Sequence, residues 1–415
     1  MASTNFVQYL TNIPASWLND VNGIAYAEDL TAKTTLDDAD VWAVKDSADS
    51  FTGKKVLVSD FMKNAYASFW NVAGTIKSAF TNTNTVARTY TLQNQSGTIA
   101  HTSQLGGRNR LINGGMSVDQ IHVGAAQTIT AAAALAYTVD QWWAACTGAN
   151  VTGQRVAGSN QTEYRYQFSG AASVTGIQFG QRIEARNVYD LNGQTATLSV
   201  ELSNSLLSTV TWTAYYANSA NAFGSLASPT KTQIATGTFA VTSTPTVYNA
   251  QISMPANAAN GVEIVFSVGA QTAGTWTIGN AQLELGGAAT PFEFKPFSSV
   301  LEASRAYYRK SYTYTDAPGT ATSNGADTDV WINTTDFYDL GCRSLRGGHM
   351  FSLPTMTLYS TATGATGVVR SAPGADIAAA VRFVGDSAFS VYTPAAGGTA
   401  SQGAYWQWAA TAYIP

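Results

Sequence analysis

Two stretches of strict alternation constrain this chain most. Ala196, Leu198, Val200 and Leu202 alternate with Thr197, Ser199 and Glu201, and Val262, Ile264, Phe266 and Val268 repeat the pattern farther on. A side-chain period of two gathers one apolar row on one face of a strand, whereas a helix would scatter it. Turn-forming clusters such as DLNG, PANAANG and GAQTAG punctuate the runs. Many short strands with regular punctuation predict an antiparallel jelly-roll β-sandwich over residues 107–297. TWTIGNAQLELGGAATPFEFKPF marks its end, where Pro291 and Pro296 break the pattern. Charged residues make up only 12% of the chain, against about a quarter in average proteins, which suits sheets with uncharged polar faces. At 415 residues the chain exceeds one ordinary core, so two or three domains are expected.

The flanking regions read differently. From 313 to 415 the runs DVWINTT, TMTLYSTAT, GVVRSA, AVRFVGDSAFSVYT and AYWQWAATAYIP predict a second, smaller β-domain, with Trp406 and Trp408 on one strand face. Between the two, residues 298–312 read as a linking helix, with Ser299 and Glu302 as a capping box and Leu301, Arg305 and Tyr308 at helical spacing. The first 33 residues contain IPASWLNDVN, a short helix whose Trp17, Leu18 and Val21 share a face. So short a helix needs a docking surface, either its own chain or a larger assembly. Residues 34–106 read as strand, turn, strand, then a helix capped by Ser59 and Asp60 and running to about Phe80, then a hairpin. Along that helix Met62, Tyr66, Phe69, Ile76 and Phe80 fall at heptad spacing, which fits either a coiled-coil seam or a core-facing stripe. The hairpin, ARTYTLQNQSGTIAHTSQL, offers only Tyr90, Leu92 and Ile99 for burial. A lone two-stranded hairpin is marginal in water.

Several function classes lose support. A net charge of -4 gives no basic stripe for nucleic acid and no polybasic membrane patch. No apolar run reaches the length of a membrane span, and MASTNFVQYLTNIP lacks the basic and apolar regions of a secretory signal, so synthesis in a cytoplasm without membrane insertion is expected. Cys146 and Cys342 form no disulfide framework and read as small buried hydrophobes. His101, His122 and His349 make no zinc pattern, and Asp37, Asp38, Asp40, Asp46 and Asp49 do not match an EF-hand. No metal or cofactor is expected. Walker A, G-x-S-x-G and G-x-G-x-x-G motifs are missing, as are the repeated coils of a depolymerising β-helix. Glycoside hydrolysis would need two carboxyl groups about 5 to 9.5 Å apart, and a non-enzyme is the expectation.

For sugar binding, aromatic faces stack on pyranose C–H surfaces while amides and carboxylates take the hydroxyls. Trp142, Trp143, Trp212 and Tyr215 in the sandwich, and Trp331, Tyr338, Trp406 and Trp408 in the C-terminal domain, are the candidates, each competing with a role in the core. The distal set Trp331, Tyr338, Asp336, Trp406 and Trp408 is the expected ligand site, with DTDVWINTTDFYD as its acid-aromatic segment, which reads more readily as an exposed loop than as a sugar or metal patch.

TNIPASWLNDVN resembles the virion-anchoring start of tail fibres and tailspikes of short-tailed bacteriophages. DADVWAVKDSADSFTGKKVLVSDF is similar to their neck, and ARTYTLQNQSGTIAHTSQL to a shaft hairpin. NRLINGGM, YTVDQWW, IGNAQLELGGAATPFEFKPF and LEASRAYYRKSY resemble a carbohydrate-binding-module-like jelly roll of phage tail proteins, and MFSLPTMTLYSTATGATGVVR and WQWAATAYIP the C-terminal domain behind it. GCRSLRGGHMFSLP departs from the plainer strand expected there. The resemblance implies a mainly β, elongated modular fibre in the virion tail. It implies a homotrimer closed by Met62, Tyr66, Phe69, Ile76, Phe80, Tyr90, Leu92 and Ile99. Trp17, Leu18 and Val21 would hold it to a tail or adaptor protein, and its distal β-domains would bind bacterial surface polysaccharide or lipopolysaccharide. A tailspike glycan hydrolase, or a structural adaptor without its own receptor, are the alternatives.

Overall fold

The computed structural model describes residues 41–46, 52–57, 69–70, 77–78, 106–158, 161–331, 338–394 and 401–415. The chain divides into two compact units, Met1–Gly97 and Thr98–Pro415. In the first, Val41–Asp46 pairs antiparallel with Thr52–Leu57. Phe69–Trp70 pairs antiparallel with Lys77–Ser78, which corrects the continuous helix expected from Ser59 to Phe80. Aromatic and β-branched residues lose side-chain freedom in a helix, and Phe69, Trp70, Val72, Thr75 and Ile76 crowd this stretch around Gly74. Heptad spacing does not outweigh that local preference. Phe69 therefore lies on a strand, while Met62, Tyr66, Ile76, Phe80, Tyr90, Leu92, Ile99, Trp17, Leu18 and Val21 lie outside the described residues.

The second unit is mainly β and opens with a jelly-roll-like sandwich of two six-stranded antiparallel sheets. One runs Lys231–Ala240, Thr209–Ala217, Gly261–Val268, Gly176–Glu184, Trp143–Thr147, Ala136–Tyr137 in spatial order. The other runs Thr246–Ser253, Thr195–Asn204, Thr275–Leu285, Tyr164–Ser169, Val151–Ala157, Gln127–Ile129. Both apolar rows picked out by alternation face the core between the sheets. Rings fill its centre: Trp142 stacks on Phe179 at 4.8 Å, and Phe179 on Tyr166 at 5.3 Å. The alternate polar row is covered as well. Thr197, Ser199 and Glu201 are buried, and Arg165 meets the Glu201 carboxylate through two hydrogen bonds of 2.7 and 2.9 Å.

A helix, Phe297–Ser304, follows the sandwich, with Pro296 at its N-cap and no side-chain capping bond. The Pro296 carbonyl accepts from the backbone N–H groups of Ser299 and Val300, so Ser299 already lies inside the first turn. The expected Ser299–Glu302 capping box is thereby displaced. Tyr308 begins the strand Tyr308–Lys310 instead of extending the helix. In the C-terminal domain the strand Gly403–Thr411 is central, pairing with Tyr308–Lys310, Asp327–Val330, Thr355–Tyr359 and Val368–Ser371. A three-stranded sheet of Tyr338–Ser344, Ala388–Thr393 and Ala380–Arg382 completes it. Cys146 is buried as expected, but Cys342 is exposed, in a strand whose pairing shifts register between Asp339 and Cys342.

The two β-domains are packed against each other. Phe223 and Ala217 from the sandwich share an apolar cluster with Tyr307 and Ile414. Tyr413 stacks on Tyr137 with ring centroids 3.4 Å apart. Arg182 donates to the Ile414 carbonyl at 3.1 Å, and the Phe223 N–H to that of Pro415 at 2.9 Å. Among the described residues, no helix is long and apolar enough to cross a membrane.

Candidate functional site: an aromatic cleft beside the sandwich

The tryptophans favoured from sequence do not form a site. Trp331 is 1% exposed, and Trp406 and Trp408 are fully buried. Trp406 and Trp408 share a strand face as alternation requires, but that face looks into the core of the small domain, beside Leu340, Leu358 and Phe389. Trp408 donates its indole N–H to Asp327 at 2.7 Å, and the Arg343 guanidinium lies 5.2 Å from the Trp406 ring. Asp327 and Asp329 are engaged by Arg346 and Arg343. Tyr338 opens its strand, and Asp336 lies outside the described residues. In the sandwich Trp142, Trp143 and Trp212 are buried, and Tyr215 is half-buried with Lys231 4.4 Å from its ring centre.

Exposed rings gather elsewhere, around a cleft of about 440 Å³. Its first wall is the loop NRLINGGMSV. The Asn113 amide donates to the carbonyls of Val118 and Asp140 at 2.8 and 3.0 Å, and its Oδ1 accepts from the Val118 N–H at 2.9 Å. Gly114 seats this loop against the sheet, because a Cβ there would stand 2.0 Å from the Ala281 carbonyl oxygen. The second wall is FEFKPF. Pro291 and Pro296 keep it out of any sheet, so Phe294 has no core to enter and is 67% exposed, while Phe297 is 45% exposed. Tyr314 meets the Phe297 ring edge to face at 5.1 Å, and its hydroxyl accepts from the Asp119 N–H at 3.0 Å. Burial pushes the Tyr314 phenol up, so it stays neutral at ordinary pH. The third wall is the turn carrying Gln161, Thr162, Glu163 and Tyr164.

The charges around the cleft are mostly engaged. The Arg155 guanidinium lies 4.2 Å from the centre of the Tyr164 ring, donates to the Ser117 carbonyl at 2.8 Å and sits 3.8 Å from Asp119. The Glu293 carboxylate accepts from the backbone N–H groups of Gly107 and Asn109, and Lys295 donates to the Asn109 carbonyl at 3.1 Å. Among the described residues no three His, Cys, Asp or Glu side chains gather to hold a metal ion. A second depression, about 560 Å³, lies beside Gln178, Leu226 and Ser267 and has no aromatic lining residue. Rings distinguish the first.

The sequence signal for this cleft was the phenylalanine spacing in FEFKPF. Apolar residues bracketed by prolines have no sheet neighbour to bury them, and from sequence this motif marks the end of the sandwich and no ligand site.

No protein-family model matches the chain, and no curated protein matches it in sequence. Among solved structures, the enzymatically active domain of tailspike protein 4 from bacteriophage CBA120 is similar at 19% identity and a TM-score of 0.26, over 35% of this chain and 19% of that one. TmCBM61 in complex with β-1,4-galactotriose is similar at 13% identity and a TM-score of 0.29, over 43% of this chain and 99% of that one. A family 11 carbohydrate-binding module from Clostridium thermocellum, in complex with a β-1,3-1,4-mixed-linked tetrasaccharide, is similar at 12% identity and a TM-score of 0.25, over 38% and 97%. Likenesses of this size assign neither family nor ligand, so the functional reading rests on the cleft.

Proposed function

We propose that this chain is a non-catalytic glycan-binding adhesin, a homotrimeric tail fibre of a short-tailed bacteriophage, and that the cleft is its saccharide site. One observation carries the binding reading: exposed Phe294 and Phe297 and half-buried Tyr164 and Tyr314 line one cavity with the exposed Gln161 amide and Glu163 carboxylate. Its volume of about 440 Å³ falls within the roughly 300–1,000 Å³ of small-ligand sites. Rings to stack on C–H faces beside groups that bond hydroxyls are what a sugar requires. The ordered run of fibre-like motifs supplies the setting: attachment to a tail protein through Trp17, Leu18 and Val21, and a bacterial surface polysaccharide or lipopolysaccharide as partner.

Cleavage is disfavoured by the state of Glu293. Among the described residues it is the only carboxylate lining the cleft besides Glu163, and two backbone N–H groups already occupy it. A general acid must be free to carry a proton. Incubation with host polysaccharide is expected to release no new reducing ends, and sustained release would replace binding with hydrolysis. For adhesion itself, the full-length Tyr164→Ala variant should adsorb to host cells about tenfold more weakly than the parent, a loss of about 1.4 kcal/mol. Unchanged adsorption overturns the cleft as the site. A three-chain mass in sedimentation supports the fibre setting, and a clean monomer contradicts it.

A further inference from the structure

The charge inventory of the cleft goes one step further and, resting on the proposed glycan reading, names the ligand class. Both cations lining it are already engaged: Arg155 by the Ser117 carbonyl, Asp119 and the Tyr164 ring, and Lys295 by the Asn109 carbonyl and Glu293, 3.8 Å away. Glu163 is exposed and makes no ion pair among the described residues. The group left to meet a ligand is therefore an anion, beside an uncharged amide at Gln161.

We infer that the cleft selects neutral saccharides and rejects acidic ones. A hydroxyl-rich uncharged ring donates hydrogen bonds to Glu163 and to the Gln161 carbonyl while its C–H face covers Phe294 or Tyr164. A uronate, sialate or phosphate would instead bring a second negative charge into a cleft whose lining cations, among the described residues, already hold protein partners. Like charges brought together this way lower affinity and supply specificity by repulsion.

The test is an array of oligosaccharides in matched pairs, glucose against glucuronate and galactose against galacturonate at the same linkage, probed with the full-length chain, Glu163→Lys and Phe294→Ala. The neutral member of a bound pair should exceed its acidic partner by about tenfold or more. Glu163→Lys should shrink or invert that ratio, and Phe294→Ala should weaken both members. Acidic members binding as well as neutral ones, with both still lost in Phe294→Ala, overturn the charge selection and leave the cleft in place. Binding that Phe294→Ala does not change overturns the cleft itself, and so does an array on which neither class binds.

Discussion

In the sandwich the core is shared between two six-stranded sheets, while in the C-terminal domain a single strand, Gly403–Thr411, organises the packing through four partner strands. Both regions nevertheless bury their tryptophans, and differ in the rings that adjoin them at the surface. In the smaller domain Trp331, Trp406 and Trp408 lie entirely inside, beside Leu340, Leu345, Met350, Leu358 and Phe389, just as Trp142 and Trp276 lie inside the sandwich. The sandwich fills its core from strand rows and a central ring cluster, while Phe294 and Tyr314 on irregular segments, Phe297 at the start of a helix and Tyr164 at the start of a strand line a cleft. A tryptophan on a regular strand of a small domain is thus a poor guide to a ligand site. A phenylalanine between prolines is a better one.

The comparison is open to attack in order of expected effect. Trp408→Ala removes a fully buried ring and its bond to Asp327, and should cost about 3–5 kcal/mol in denaturant unfolding; a loss below about 1 kcal/mol would mean that the ring is not part of the core. In the sandwich, Glu263→Gln leaves buried Arg182 and half-buried Lys231 without their shared counter-charge, and should cost about 3 kcal/mol by the same measurement.

The joint between the regions has a pH signature. Asp140 is wholly buried and accepts two hydrogen bonds from Gln120, whose side chain also donates to the Tyr308 carbonyl. Burial pushes its carboxyl up from 3.8 to about 6, against the pull of the two Gln120 hydrogen bonds, with Asp119 raising it further and Lys310 opposing. The folded chain therefore holds the proton more tightly than the unfolded chain. Stability contributed by protonated Asp140 is complete below about pH 4 and is lost as pH rises to about 6, a change on the order of 3 kcal/mol. Subtracting the pH–stability curve of Asp140→Asn from that of the parent isolates this slope; parallel curves over that window would contradict it. The smallest stability effect is expected at the cleft, where Phe294→Ala should leave unfolding within about 0.5 kcal/mol of the parent because the ring packs into no core.

Strand alternation made the sandwich legible, and Leu198 and Ile264 lie on the core side that their spacing predicts. Local spacing was less informative where two preferences compete, as at Phe69 and Trp70, which pair with Lys77 and Ser78 instead of extending a helix. Nor does spacing say which covered face meets another domain: Tyr413 and Ile414 end a strand-like run, yet they seat on Tyr137 and Arg182 of the sandwich. The cleft was illegible for the same reason. Its walls, around Asn113, Tyr164 and Phe294, are far apart in sequence and meet through tertiary contacts such as the Glu293 carboxylate on the Asn109 N–H, Arg155 on the Ser117 carbonyl and the close approach of Gly114 to Ala281.

The central claim is that exposed cleft rings, and not the buried tryptophans, contact the glycan. Calorimetric titration of the full-length chain with host surface polysaccharide tests it most directly, comparing the parent with Phe294→Ala and with Trp406→Phe. Binding about tenfold weaker in Phe294→Ala, with an unaltered unfolding midpoint and parent-like binding in Trp406→Phe, is the predicted result. Equal binding by parent and Phe294→Ala would contradict it.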